Sequence, residues 1–146
     1  MRNRQGSGMV DAMVALMLLA LAGLFFSATF PSAFKAIRQG GETKKAVELA
    51  QMKIEQVKTL NYESIGYTNL VAANLIDAEQ STSPYSFTSV DNLTSSLASA
   101  TGTLTVTDNG SGTKHITVVV GWDSGGVNHN VTLNTYVADK RPWGES

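Results

Sequence analysis

The 146 residues have room for one modest domain and one long element, not for two full domains. Zero cysteines exclude disulfide frameworks, thiol nucleophiles and cysteine-ligated zinc. The net charge of -1 hides a segregation: residues 12–34 carry no charge, whereas 63–139 hold seven acids against one base, Lys114. Such an acidic segment repels phosphate, so nucleic-acid binding by the C-terminal part is disfavoured.

The uncharged run comes first in chain order. As a helix, its 23 residues from Ala12 to Phe34 would measure roughly 35 Å, enough to cross a hydrocarbon core of about 30 Å. It is apolar around its whole circumference, which suits lipid or a helical bundle better than the surface of a soluble domain. A secretory signal peptide also starts with basic residues, here Arg2 and Arg4, before an apolar stretch. Three details set this chain apart from that class. Asp11 stands at the mouth of the run, the run exceeds the usual apolar region of about 7–15 residues, and no clear small-x-small cleavage site follows. A plain single-pass anchor is the simpler alternative.

The stretch RQGSGMVDAMVAL, Arg4 to Leu16, resembles the processing site of type IV prepilins and type II secretion pseudopilins. In that family a short basic leader ends in glycine, four mostly apolar residues follow, then an acid, then a long apolar helix. Gly6 matches the glycine, Ser7-Gly8-Met9-Val10 the four residues, and Asp11 the acid. A cut after Gly8 would put Met13 at the acidic position and leave Asp11 unexplained. Asp11 replaces the family's usual glutamate, Ser7 its usual phenylalanine, and Gly8 weakens the first helical turn. The resemblance covers about the first 60 residues, and the helix ELAQMKIEQVK looks like the minor-pilin end of the group.

The resemblance implies cleavage after Gly6 by a prepilin peptidase, leaving Ser7 as a new, commonly N-methylated terminus. It implies a precursor in the bacterial inner membrane and, after assembly, a cell-surface filament or periplasmic pseudopilus. The expected partners are other copies of the chain, other pilin-like subunits, the peptidase and the inner-membrane assembly machinery. The implied function is that of a structural subunit polymerised through its N-terminal helix, with no enzymatic activity and no cofactor. A type II secretion pseudopilin and a membrane-anchored extracytoplasmic binding domain that never polymerises remain the alternatives.

Asp11 also has a reading that needs no family. A lone carboxylate in a lipid-embedded helix costs roughly 2.5–3.5 kcal/mol on insertion scales, so it points to function or pairing. Cleavage at Gly6 would create an amino group four residues before Asp11. In a bundle of such helices that amine and Asp11 of a neighbour would neutralise each other, which favours axial stagger. The alternative is an Asp11 that caps or snorkels at the water interface.

Beyond Phe30 the sequence reads as a continued but broken rod. Gly23 and Pro31 lie eight residues apart, and Pro31 removes a helical donor. By resemblance only, this is the stretch that loses helicity in packed filaments. Gly40-Gly41 marks a second weak point, a hinge or an end. After it, Ala46, Ala50, Ile54, Val57 and Leu60 recur at spacings 4, 4, 3 and 3, with Leu49 flanking, one face of an amphipathic helix. Lys44 and Glu48 stand at i,i+4 on the wet side.

The C-terminal half changes period. Residues 61–84 read as a connector with a short helix at Leu70–Ala78, and from Ser81 to Thr103, 12 of 23 residues are Ser or Thr. That composition predicts a solvated surface of loops and short strands rather than core. Three strands follow, at Thr103–Thr107, His115–Trp122 and Val131–Val137, with DNGSGT and DSGGVN as reversals. The expected fold is α+β: a long N-terminal helix packed on a small antiparallel sheet. The expected divisions are a leader (1–6), a membrane or filament-core helix (7–34), an amphipathic stalk helix (35–62) and a β-rich head (63–146).

Chemistry is sparse in this sequence. His115 and His129 are the only histidines, both at strand ends, and no GxSxG, HExxH or P-loop pattern occurs. Asp108-Asn109-Gly110-Ser111 lacks the spaced acids of a calcium loop and reads as a turn. Asn92, Asn109 and Asn130 open N-glycosylation triplets, which arise easily in a Ser/Thr-rich chain. The charge segregation itself predicts contact between the basic stalk (Lys35, Arg38, Lys44, Lys45, Lys53, Lys58) of one subunit and the acidic head of another.

Overall fold

The computed structural model describes residues 7–139. Its first element, helix α1, spans Ser7–Lys58, 52 residues. The chain forms two compact units, Met1–Gly40 and Gly41–Ser146, and α1 contributes to both.

Within the first unit, α1 is rich in Ala, Leu and Met, the residues with the best helix propensity. It passes through Gly23 and Pro31 without interruption. The broken rod is therefore corrected for this single chain, whereas loss of helicity in a packed filament concerns a different state. Pro31 forfeits one backbone hydrogen bond and crowds the carbonyl of Ser27, but Ala28 and Ala33, the best helix formers, lie within one turn on either side. Hydroxyls bond back to the preceding turn: Thr29 Oγ1 donates to the Phe25 carbonyl and Ser32 Oγ to that of Thr29, each at 2.8 Å. Gly40-Gly41 is neither an end nor a break in α1, and the boundary between the two units falls there.

The second unit is the α+β head. Ala46, Ala50, Ile54 and Val57 of α1 are buried, as their spacing requires. A 3-10 turn at Tyr62–Ser64 leads to helix α2, Tyr67–Ala72. This short helix lies earlier than the 70–78 expected from sequence. Asn74 takes a left-handed φ of 55° and stops it. The Leu75 amide then donates to the Leu70 carbonyl and the Asn74 amide to that of Val71, both at 2.9 Å. That pairing satisfies the helix end, and buried Leu70 and Leu75 seal it.

Strand β1 (Tyr85–Ser86), helix α3 (Leu93–Ser96) and strands β2 (Thr101–Asp108), β3 (Thr113–Ser124) and β4 (Val127–Ala138) complete the head. The sheet order is β1-β2-β3-β4, antiparallel throughout. The three strands read from sequence are present and longer, whereas β1 is too short to leave an alternating pattern. Ile116, Val118, Val120 and Trp122 of β3 face the core together with Leu104 of β2. The β3–β4 reversal closes on Gly125 and Gly126, at φ 64° and 81°, a two-residue turn that needs left-handed backbone twice.

The Ser/Thr-rich stretch supplies more core than its composition predicted. Phe87, Leu93, Leu97 and Ala100 are buried within it. Its polar residues make this possible by satisfying the local backbone. Thr88 Oγ1 accepts from the Gly102 amide at 2.9 Å, and Gly102 lies so close to Phe87 that an added Cβ would come within 2.5 Å of its ring.

Candidate assembly segment

Among the described residues, one surface stands apart by its chemistry. From Gly8 to Gly41 every residue of α1 is exposed, including fifteen large apolar side chains between Met9 and Ile37. Burying such a side chain is favourable by about 1.5–3 kcal/mol, so leaving fifteen in water would cost tens of kcal/mol. This surface therefore requires lipid or protein around it. The helix is long and apolar enough to cross a membrane. Phe26, Phe30 and Phe34 form a ridge at i,i+4 spacing, with ring centroids 6.1 and 6.3 Å apart. The sequence reading did not single out this ridge, although the spacing was visible.

Ser7 is the first residue of α1, and Asp11 follows one turn later at an exposed position. Positions 7 and 11 share a helix face by their spacing. Asp11 is the lone acid of this unit's helical segment, Ser7 to Gly40. Gly6 lies outside the described residues. Gly23 and Pro31 sit within the exposed apolar helix, and a Cβ at Gly23 would meet nothing within 4 Å.

The head holds an arrangement that the sequence reading missed. Lys53, grouped above with the basic stalk surface, is fully buried. Its Nζ donates to Asp91 Oδ1 at 2.9 Å and to the Leu75 carbonyl at 3.0 Å. Asp91 Oδ2 is 2.8 Å from the same nitrogen, and the Phe87 ring centroid is 4.9 Å away. Two of the ammonium's three donors are thus hydrogen-bonded, while Asp91 Oδ2 is close enough for charge pairing but accepts no hydrogen bond. The signal was present: Ala46, Ala50, Lys53 and Val57 follow spacings of 4, 3 and 4, which put Lys53 in the buried stripe.

Two further charges are used internally. Lys114 Nζ donates to the carbonyls of Tyr62 and Ile65 at 2.9 and 3.0 Å, and lies 4.6 Å from the Tyr62 ring centroid. Asp77 accepts from the Val90 amide at 2.8 Å, the Ser89 amide at 3.2 Å and the Ser86 hydroxyl at 2.5 Å. Burial pushes the Asp77 pKa up, but these hydrogen bonds together outweigh it and hold the carboxyl below its ordinary 3.8. Lys53, Asp91 and Asp77 are therefore not available for the stalk-to-head contact that the charge segregation predicts. Lys44, Lys45 and Lys58 remain exposed, Lys44 lying 3.8 Å from Glu48.

His115 stacks on Tyr136 with centroids 4.7 Å apart, and His129 on Trp122 at 5.6 Å. Asp108 Oδ1 accepts from the Gly110 amide at 2.9 Å within its own turn. No three His, Cys, Asp or Glu side chains converge as a metal site among the described residues. Comparison with protein families, curated proteins and solved structures gives no match.

Proposed function

We propose that the chain is a structural subunit of a type IV pilus-like filament, inserted in a membrane by α1 and polymerised through it. The observation that supports this reading most is the exposed apolar half of α1 with its single acid, Asp11, one turn after Ser7. A lipid anchor needs only the apolar surface. An acid at this depth, four residues behind an amine that cleavage after Gly6 would expose, adds a reason for helix to meet helix. In this reading the amine of one subunit and Asp11 of its neighbour neutralise each other in a low-dielectric bundle and set the stagger.

N-terminal sequencing and intact mass of sheared filaments test the reading. The mature chain is expected to begin at Ser7, and Met1 retained in extracellular filaments would overturn it. Asp11→Ala is expected to enter the membrane normally, since the segment becomes more apolar, and to assemble poorly. Normal incorporation of Asp11→Ala would reduce Asp11 to an interfacial cap.

A further inference from the structure

β4 is an edge strand of 12 residues, paired along its whole length with β3 on one side. Among the described residues no strand pairs with its other side. Sheet edges of this length are ordinarily guarded by lysine, proline, a bulge or an inward charge. The sequence VNHNVTLNTYVA contains no proline and no Asp, Glu, Lys or Arg, its one histidine, His129, is stacked on Trp122, and its register against β3 runs without a bulge. Roughly 40 Å of strand, at about 3.4 Å per residue, therefore offers unguarded backbone donors and acceptors.

We infer that this edge is a docking site for β4 of a second copy of the chain, in antiparallel two-fold pairing. Backbone groups at a sheet edge fit an extended chain, and charge identifies which one. The surrounding head is acidic, with exposed Glu79 and Asp108 and half-exposed Asp123, so two heads repel over most of their surface. β4 is the stretch where two identical heads meet without opposing like charges, which are destabilising when directly across a sheet. The apolar row adds to this. Val131, Leu133 and Val137 face the core side yet remain half exposed, because no strand lies beyond them. A continued sheet would set this row against the same row of the partner. Two-fold pairing uses the same patch on both chains, so it closes at two copies instead of propagating.

The inference stands apart from the filament reading, since it concerns the sheet edge and not α1. The full chain in detergent micelles supplies the test, and its lack of cysteine makes single-cysteine variants clean reporters. With the two-fold axis at Thr132, near the middle of β4, that residue faces its own copy, and Thr132→Cys is expected to give a disulfide-linked dimer on mild oxidation, because facing Cα atoms in an antiparallel pair lie within disulfide range. Thr105→Cys, two strands in from the edge, is expected to stay uncross-linked. Thr132→Lys and Thr132→Glu should each weaken pairing severalfold in sedimentation with an unchanged thermal melt, and a mixture of the two should restore it. Equal cross-linking at Thr105 and Thr132, or association indifferent to both charges, would overturn the inference. Loss of filaments in Asp11→Ala with retained Thr132 cross-linking would separate the two proposals.

Discussion

The two halves of α1 obey the same backbone geometry but solve opposite solvation problems. From Ala12 to Phe34 the helix is apolar on all sides and exposed on all sides. From Lys44 to Lys58 it buries one stripe and turns Lys44, Lys45, Glu48, Glu55 and Lys58 to water. The apolar side chains of the first half are not buried within their own unit, so their burial must be completed by lipid or by other helices. The second half finds its partners in the sheet and the connector of its own chain. One helix can thus be part exposed apolar surface and part core, and the changeover falls around Gly40-Gly41 without a break in the helix.

The comparison breaks most visibly at Lys53. Lys53→Met strands Asp91, whose side chain is only 10% exposed, as an uncompensated buried charge. The expected loss is about 3–5 kcal/mol, read by chemical denaturation of the head. Replacing both, Lys53→Met with Asp91→Leu, should recover most of that loss. A double variant as unstable as the single would show that the pair contributes net stability. In the first half, Leu19→Lys should weaken membrane partition by roughly 2.5–3.5 kcal/mol while leaving the melt of the head unchanged. A shifted melt would mean that the apolar half helps to fold the head.

Acid sharpens the contrast. The folded Asp77 carboxyl titrates below its ordinary 3.8, so its contribution is fully present above that value. As pH falls from 3.8 toward the lower folded value, the unfolded state binds the proton first and that contribution is lost. Asp77→Asn should flatten this part of the stability profile, measured by thermal melts between about pH 5 and 2. The smallest expected effect is on the wet side of α1. Lys44→Glu with Lys45→Glu should alter head stability by less than about 1 kcal/mol, since exposed pairs contribute little. A clear loss of assembly in that double variant would support the stalk-to-head contact that these exposed lysines still allow.

The legible parts of this chain are those where one physical signal dominates. The apolar length of 12–34, the stripe Ala46-Ala50-Ile54-Val57 and the alternation Ile116-Val118-Val120-Trp122 each declared their element. The connector was harder because its few apolar residues are spaced by turns, not by a period. Phe87, Leu93 and Leu97 reach the core from a stretch whose composition is mainly polar. Lys53 was misplaced because its charge outweighed its position in the helical stripe, and its partner Asp91 lies 38 residues away. Asp11 was visible at once, being the lone acid at the mouth of an uncharged run.

The way the head holds its own part of α1 has a mechanical consequence. A pull applied along the helix axis at Gly41, where the second unit begins, is borne within the head. There it meets Ala46, Ala50, Ile54 and Val57, with the Lys53–Asp91 clamp between them. Because the load runs along the row of contacts rather than away from it, they are strained in shear and share the force. They do not peel one after another from an end. The salt bridge, which loses its partner when slid by a few ångströms, would act as the brittle link in that row, and the apolar contacts as the compliant ones.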